Sequence, residues 1–225
     1  GFPTKVNREY VIIQSEFYAK PDPGKRKVDG TPLYVLDGER LRAAQPTHTV
    51  FNGGISMAAL RAGRSGMQAL QIFTAIPKYY GDKSSIRPER VERFRSALHE
   101  AGIDPARVVV HAAYVLNTAT ADEEKGARAA AGLRKELERS TALGAGAVCF
   151  HPGAATGGDR DAAIGRVAQA ITQALEAVPG TTRLLVENTA GAGMTIGRTP
   201  EEVGAILQRV PRPLRSSASR RSSAS

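Results

Sequence analysis

Three potential metal ligands each stand directly after three apolar residues of a strand-like stretch: His111, His151 and Glu187. In a parallel sheet the carboxyl ends of the strands open onto one face, where side chains from successive strands meet. Two imidazoles and one carboxylate form a His2Glu set, which binds catalytic zinc and leaves a position for water. Taken singly, each residue is better explained as a hydrogen-bonded core histidine or an ion-pair partner. Their shared position in successive units predicts a metal site with Glu187 as a catalytic residue, and the set also suits manganese, cobalt or iron.

The elements that must position these residues follow a regular alternation of strand-like and helix-like patterns. The candidate strands are short and apolar without alternation, as expected when both sheet faces are covered: Thr47–Val50, Ala69–Phe73, Val108–Ala112, Ala147–His151 and Arg183–Glu187. From Phe73 onward the strand ends are separated by 38, 40 and 36 residues. A repeat of this length, one strand plus one helix, is typical of a (βα)8 barrel or a doubly wound sheet.

Helix patterns with recognisable ends lie between the strands. They cover Pro88–Ala101, Asp122–Leu143 and Asp161–Val178, and a fourth begins at the capping box of Thr199–Glu202. Gly102 and Gly144 provide stop signals after the first two helices. Thr120, with Glu123 three residues later, is the predicted cap of the second helix.

Composition divides the chain into three parts. Residues 1–46 are rich in proline, glycine and charge and form an irregular extension, in which Val11–Ile13 and Leu33–Leu36 are candidate strands of a hairpin. No function is predicted for this extension. Residues 47–210 carry the alternating pattern. Residues 211–225 form a basic Arg/Ser tail without periodicity, which predicts disorder.

The net charge of +9 is concentrated at the C-terminus. Residues 209–225 contain five arginines and no acidic residue, whereas residues 47–208 are close to balance. The charge is therefore weak support for a DNA-binding face.

The single cysteine, Cys149, excludes an internal disulfide and suits a reducing compartment. Its apolar neighbours indicate a small core side chain. No apolar run reaches the roughly 20 residues that a membrane-spanning helix needs. We therefore expect a soluble cytoplasmic protein without membrane contact.

Four segments resemble endonuclease IV, the zinc enzyme that cuts DNA at abasic sites. They are His111–Asn117, Phe150–Gly153, Val186–Gly193 and, after the first strand, Phe51–Ile55. Their order and spacing match, and the similarity covers about residues 47–210. The Glu-Asn-Thr-Ala-Gly segment at this distance from His-Pro-Gly is the most specific part of the match.

The resemblance implies an α/β fold, a partial (βα)8 TIM barrel with about five of its eight units present. The family binds three zinc ions. His111 and His151 match ligands of the first, and Glu187 matches the carboxylate that bridges the first and second. The positions that match DNA-contacting and ligand-supporting groups are Tyr114, Asn117, Lys78 in the loop Thr74–Tyr80, His48 and Asn188.

The chain departs from the family beyond Glu187. Only 38 residues follow, and the later Asp and His ligands and the final Glu are absent. No histidine occurs after His151. We therefore expect a truncated barrel with ligands for about one metal, an exposed sheet edge and weak nuclease activity.

The leading interpretation is a zinc-dependent DNA-repair endonuclease that hydrolyses the phosphodiester 5′ to abasic sites in double-stranded DNA, in a family of monomers. A metal-dependent sugar isomerase or epimerase on the same kind of barrel is an alternative, although the loop after Glu187 argues against it. A third interpretation is a non-catalytic fragment that binds nucleic acid through the Arg/Ser tail.

Overall fold

The computed structural model describes residues 19–26, 32–36, 54–74, 86–189 and 193–216. The chain divides into two compact units, residues 1–49 and 50–225.

In the first unit a two-stranded antiparallel hairpin joins β1 (Ala19–Arg26) and β2 (Pro32–Leu36). The second strand contains the predicted Leu33–Leu36, whereas Val11–Ile13 lies outside the described residues. Strand β1 lies largely within the segment that was expected to connect the two predicted strands. The register of its pairing with β2 shifts between Pro21 and Arg26. Proline lacks an amide donor and is tolerated in edge strands and at bulges, and both strands of a two-stranded ribbon are edges.

The second unit contains a parallel sheet whose strand order follows the chain: β3 (Leu70–Ile72), β4 (Val108–His111), β5 (Ala147–Phe150) and β6 (Arg183–Val186). Four of the five predicted strands are therefore confirmed, and the remaining one lies outside the described residues. All four residues of β5 are buried, as expected for a parallel strand covered on both faces. Within the described part of the chain β6 is the last strand, and its residues remain half-buried.

Helices accompany each strand of this sheet: α1 (Gly54–Arg64), α2 (Pro88–Glu100), α3 (Glu123–Leu143), α4 (Arg160–Ala177), α5 (Pro200–Arg209) and the short α6 (Arg212–Ser216). Their apolar faces pack with the strands into one core, whose largest fully buried side chains include Phe94, Leu98, Leu133, Leu137, Phe150 and Ile206.

The helix ends agree with the predicted stop signals but not with every predicted cap. Gly102 and Gly144 follow α2 and α3 with φ of 65° and 78°, a conformation that favours glycine. The prediction of Thr120 as the cap of α3 is wrong, because the Asp122 carboxylate accepts from the amide of Lys125 at 3.0 Å. The Thr120 hydroxyl is held in a 2.7 Å hydrogen bond with the Thr156 hydroxyl. The cap of α5, Thr199, is confirmed.

The beginning of the predicted tail is helical rather than disordered. In α6, Leu214 packs against the core and its amide donates to the Pro211 carbonyl at 3.0 Å. This apolar anchor extends the folded unit beyond residue 210, and residues 217–225 lie outside the described part of the chain. Among the described residues, none of the helices has both the length and the apolar character needed to cross a membrane.

Candidate metal centre

The three predicted ligands meet at the carboxyl ends of β4, β5 and β6. One ligand atom from each of His111, His151 and Glu187 lies within 4.8 Å of the others. The Nε2 atoms of His111 and His151 lie 2.9 Å and 3.6 Å from Glu187 Oε2. The ladder continues one residue beyond β6, because the Glu187 amide donates to the Phe150 carbonyl at 3.0 Å. The parallel register therefore aims three side chains from neighbouring strands at one point.

The hydrogen bonds of His111 suit a metal ligand. The residue is 1% exposed, and its Nδ1 lies 2.7 Å from the Ala112 carbonyl oxygen, so Nδ1 must carry the proton. In the neutral ring Nε2 then has a lone pair, which points at the Glu187 carboxylate oxygen. Two acceptors at this distance repel each other unless a second ring proton or a cation lies with them. Metal-bound histidines almost always donate their other ring N–H in this way.

His151 is held ready as a neutral ligand. Its side chain is about one third exposed. Burial lowers the pKa of His151, and a charge on His111 lowers it further, while Glu187 acts in the opposite direction. The ring is therefore neutral around pH 7, the form that binds a metal ion.

Cys149 contacts the same carboxylate. Its side chain is buried, as the sequence predicts, but its Sγ donates to Glu187 Oε2 at 3.6 Å. Burial, together with the negative charge of Glu187, raises the pKa of Cys149 to about 12. The sequence did not lead us to predict this contact. Residues two apart on a strand point to the same face, so Cys149 could have been placed on the ligand face from the position of His151.

Two aromatic rings line the histidines. Tyr114 is 51% exposed, and its ring centroid lies 5.0 Å from that of His111 and 5.8 Å from that of His151. Partial burial, together with the charge of Glu187, raises the pKa of Tyr114. Phe73, which the sequence did not single out as a site residue, lies 5.3 Å from His111 and 5.4 Å from Tyr114. An exposed tyrosine ring thus stands beside the ligands, where the resemblance places a DNA contact.

Asn117 connects two loops at the site. Its Oδ1 accepts from the amides of Ala119 at 3.1 Å and Ala154 at 3.0 Å. Gly153 has a φ of 98°, and a Cβ atom there would lie 2.1 Å from the same Oδ1. The predicted DNA-contacting residue therefore also fixes the turn that follows His151.

The other predicted site residues are less engaged. Asn188 directly follows Glu187 and is exposed, and the structure places no hydrogen bond between its side chain and the three ligands. His48 and Lys78 lie outside the described residues, so their roles stay predictions.

A buried ion pair holds the first residue of the predicted DNA-binding loop. Glu136 and Arg139 of α3 are 2% and 4% exposed, with Arg139 Nη2 2.7 Å from Glu136 Oε1. The Thr74 hydroxyl donates to Glu136 and accepts from Arg139 Nε. Sequence reasoning missed this cluster, because a Glu and an Arg three residues apart are typical of an exposed helix face.

The sequence model of the xylose isomerase-like TIM barrel matches residues 59–214. The chain belongs to this family. Within it, the chain is 35% identical over 165 residues to a probable endonuclease 4 of Chloroflexus aurantiacus, covering 73% of this chain and 57% of that protein. It is 34% identical over 161 residues to a probable endonuclease 4 of Geobacter sulfurreducens, covering 71% and 53%. The chain thus spans little more than half the length of these relatives.

Comparison with solved structures agrees with the sequence matches. Endonuclease IV from Thermus thermophilus superimposes with a TM-score of 0.60 at 31% identity, covering 70% of this chain and 55% of that one. A D-tagatose 3-epimerase-like protein gives a TM-score of 0.50 at 19% identity, which shows the fold alone. The predicted fold class and the resemblance to endonuclease IV are both confirmed.

Proposed function

We propose that this chain binds a divalent metal ion through His111, His151 and Glu187 and serves the hydrolysis of DNA at abasic sites. The observation that carries the proposal is the 2.9 Å contact between His111 Nε2 and a carboxylate oxygen of Glu187, with His151 beside them. A metal ion among these atoms would take the place of a ring proton as the shared partner of the His111 nitrogen and the Glu187 oxygen. The endonuclease 4 relatives supply the substrate class.

Zinc is the metal that we propose, because two imidazoles and one carboxylate are a known catalytic zinc set. When bound, the ion supplies a water of lowered pKa and stabilises charge on a phosphate oxygen. His111 and His151 are neutral ligands, and Glu187 contributes one negative charge. The ligand set therefore leaves a divalent ion with a net positive charge, which attracts a phosphodiester.

The remaining residues position the substrate rather than react with it. Tyr114 presents an exposed ring beside the ligands. Stacking of a nucleic-acid base on an aromatic ring contributes about 1–3 kcal/mol per base. We propose that Tyr114 stacks against a nucleotide next to the abasic site in double-stranded DNA. The cleaved bond is the phosphodiester 5′ to the abasic site.

We also propose that the protein acts in the cytoplasm as a monomer.

The sugar isomerase or epimerase alternative has less support. The epimerase-like neighbour shares only 19% identity and shows the fold alone, whereas the relatives from Chloroflexus aurantiacus and Geobacter sulfurreducens, at 35% and 34% identity, are named probable endonuclease 4. The tail-binding alternative depends on residues 211–225, of which 217–225 lie outside the described part of the chain.

A single-turnover incision assay tests the proposal. A labelled duplex with one stable abasic analogue is mixed with excess protein, after EDTA treatment and with zinc restored. We expect zinc-dependent cleavage on the 5′ side of the lesion, which Glu187→Gln abolishes. The matched control is Glu124→Gln, since Glu124 is an exposed carboxylate of α3 that pairs with Arg128, away from the three ligands. Cleavage no faster than with zinc alone, or cleavage unaffected by Glu187→Gln, would refute the proposed activity.

A further inference from the structure

Residues 193–198, here called the strap, connect the loop after Glu187 to the loop after His151. The Ala155 amide donates to the Met194 carbonyl and the Ile196 amide donates to the Gly153 carbonyl, both at 2.9 Å. These bonds flank an antiparallel bridge between Ala154 and Thr195. The strap therefore runs alongside the turn that begins directly after one of the candidate ligands.

The strap also holds the other ligand loop. The Thr189 amide donates to the Gly197 carbonyl at 2.9 Å, and the Thr189 hydroxyl donates to the Ile196 carbonyl at 3.1 Å. Gly197 has a φ of 84°, and a Cβ atom there would lie 3.3 Å from Pro152 and 3.4 Å from the Glu187 carbonyl. The strap is thus in close contact with the residue after His151 and with the backbone of Glu187.

Arg160 and Glu202 fix the strap from the side of the two helices. Arg160, the first residue of α4, donates from Nη2 to the Thr195 carbonyl at 2.8 Å and from Nε to Glu202 Oε1 at 2.9 Å. The other oxygen of Glu202 accepts from the amides of Gly197 and Arg198, both at 3.0 Å. One carboxylate therefore joins the guanidinium of one helix to two amides of the strap.

The electrostatics of this pair agree with a fixed arrangement. Both side chains are mostly buried, with 26% of Arg160 and 17% of Glu202 exposed. Burial by itself would raise the pKa of Glu202, but the hydrogen bonds from Arg160, Arg198 and Gly197 outweigh it, and the pKa is lowered. Glu202 is therefore charged at neutral pH, when its bonds to the strap are strongest.

We propose that Arg160 and Glu202 form a clamp that positions His151 and Glu187 for the metal ion, acting through the strap. The inference rests on the metal site of the proposed function. Both are positioning residues, since neither contacts the ligands themselves. Groups hydrogen-bonded directly to a metal ligand typically change metal affinity by about 10- to 100-fold when they are removed, so a clamp one contact further away should act at the lower end of that range.

A second ion pair between the same helices provides a matched control. Arg209 of α5 donates from Nη1 to the Asp161 carbonyl at 2.7 Å and from Nη2 to Asp161 Oδ1 at 2.5 Å, at the start of α4. This pair is more exposed and makes no hydrogen bond with the strap. Its removal loosens the same two helices without touching the connection between the ligand loops.

The decisive experiment compares Arg160→Met, Glu202→Met and the control Arg209→Met in the full chain. Zinc affinity is measured by competition with a chromophoric chelator, and amide hydrogen exchange is measured without metal. We expect zinc dissociation constants about 10-fold higher for the two clamp variants and unchanged for Arg209→Met. We also expect faster exchange at Ile196 and Thr189 in the clamp variants alone. Arg160→Lys, which keeps the charge but not the forked geometry, gives a milder form of the same effect.

The outcomes separate the two proposals. Unchanged zinc affinity in the clamp variants, or an equal loss in Arg209→Met, would overturn the clamp while leaving the metal site intact. If the wild-type chain binds no zinc, the metal site of the proposed function fails. Hydrogen exchange then decides whether Arg160 and Glu202 hold the strap, and unchanged exchange at Ile196 and Thr189 overturns that as well.

Discussion

Replacing Asn117 by alanine removes one oxygen that serves two backbone amides, those of Ala119 and Ala154. Ala119 is 0% exposed, so its amide is left without a partner, at a cost of about 1–3 kcal/mol. Ala154 is half-buried, and water can reach its amide more easily, so its loss is roughly 0.5–1.5 kcal/mol. We therefore expect Asn117→Ala to lower the free energy of unfolding by roughly 2–4 kcal/mol.

Urea unfolding followed by circular dichroism measures this change. Asn117→Asp keeps an acceptor at the same place and should stay within about 1 kcal/mol of wild type. Asn188→Ala is the surface control, since Asn188 is exposed and should change stability by no more than about 0.5 kcal/mol. An Asn117→Ala variant as stable as wild type would refute the structural role, and a loss confined to DNA affinity would favour a DNA contact instead.

Two further predictions concern the titrating groups of the site. Cys149 is the single cysteine, is 8% exposed, and burial raises its pKa to about 12. Iodoacetamide at pH 8 should therefore modify the folded protein at least roughly 100-fold more slowly than the urea-unfolded chain, because the thiolate is the reactive form. Similar rates for the two states would contradict this. The pKa of His151 is lower in the folded than in the unfolded chain, so as pH falls below about 6.5 the unfolded chain binds a proton at His151 before the folded chain does. Without metal, the free energy of unfolding should therefore decrease as pH falls below about 6.5, and stop decreasing for this reason below the folded pKa. His151→Asn should lose this part of the pH dependence in urea unfolding at several pH values, and identical profiles for the two proteins would count against the lowered pKa.

The strands and the cluster of candidate ligands could be predicted because short stretches of the sequence are enough to indicate them. The segments before His111, His151 and Glu187 are uninterrupted apolar runs, and glycine stop signals follow the helices before the first two of those strands. In a parallel sheet such runs place their last residues at the same edge, so the convergence of the ligands follows from topology.

Features that depend on distant contacts were not predictable from the same patterns. Thr120 and Asp122 are both capable helix caps, and the choice between them goes with the hydrogen bond of Thr120 to Thr156, 36 residues away. The burial of Glu136 depends on its contact with Thr74, 62 residues away. Asn117 was expected to contact DNA, and only the folded loops reveal that its oxygen serves Ala119 and Ala154.

Anomalous X-ray diffraction at the zinc absorption edge, from crystals grown with zinc, tests the metal centre most directly. We expect a strong peak roughly 2.0–2.2 Å from Nε2 of His111, from a ring nitrogen of His151 and from a carboxylate oxygen of Glu187. The absence of a peak at this position, or a zinc ion bound only by other residues, would contradict the metal site on which the proposed nuclease chemistry depends.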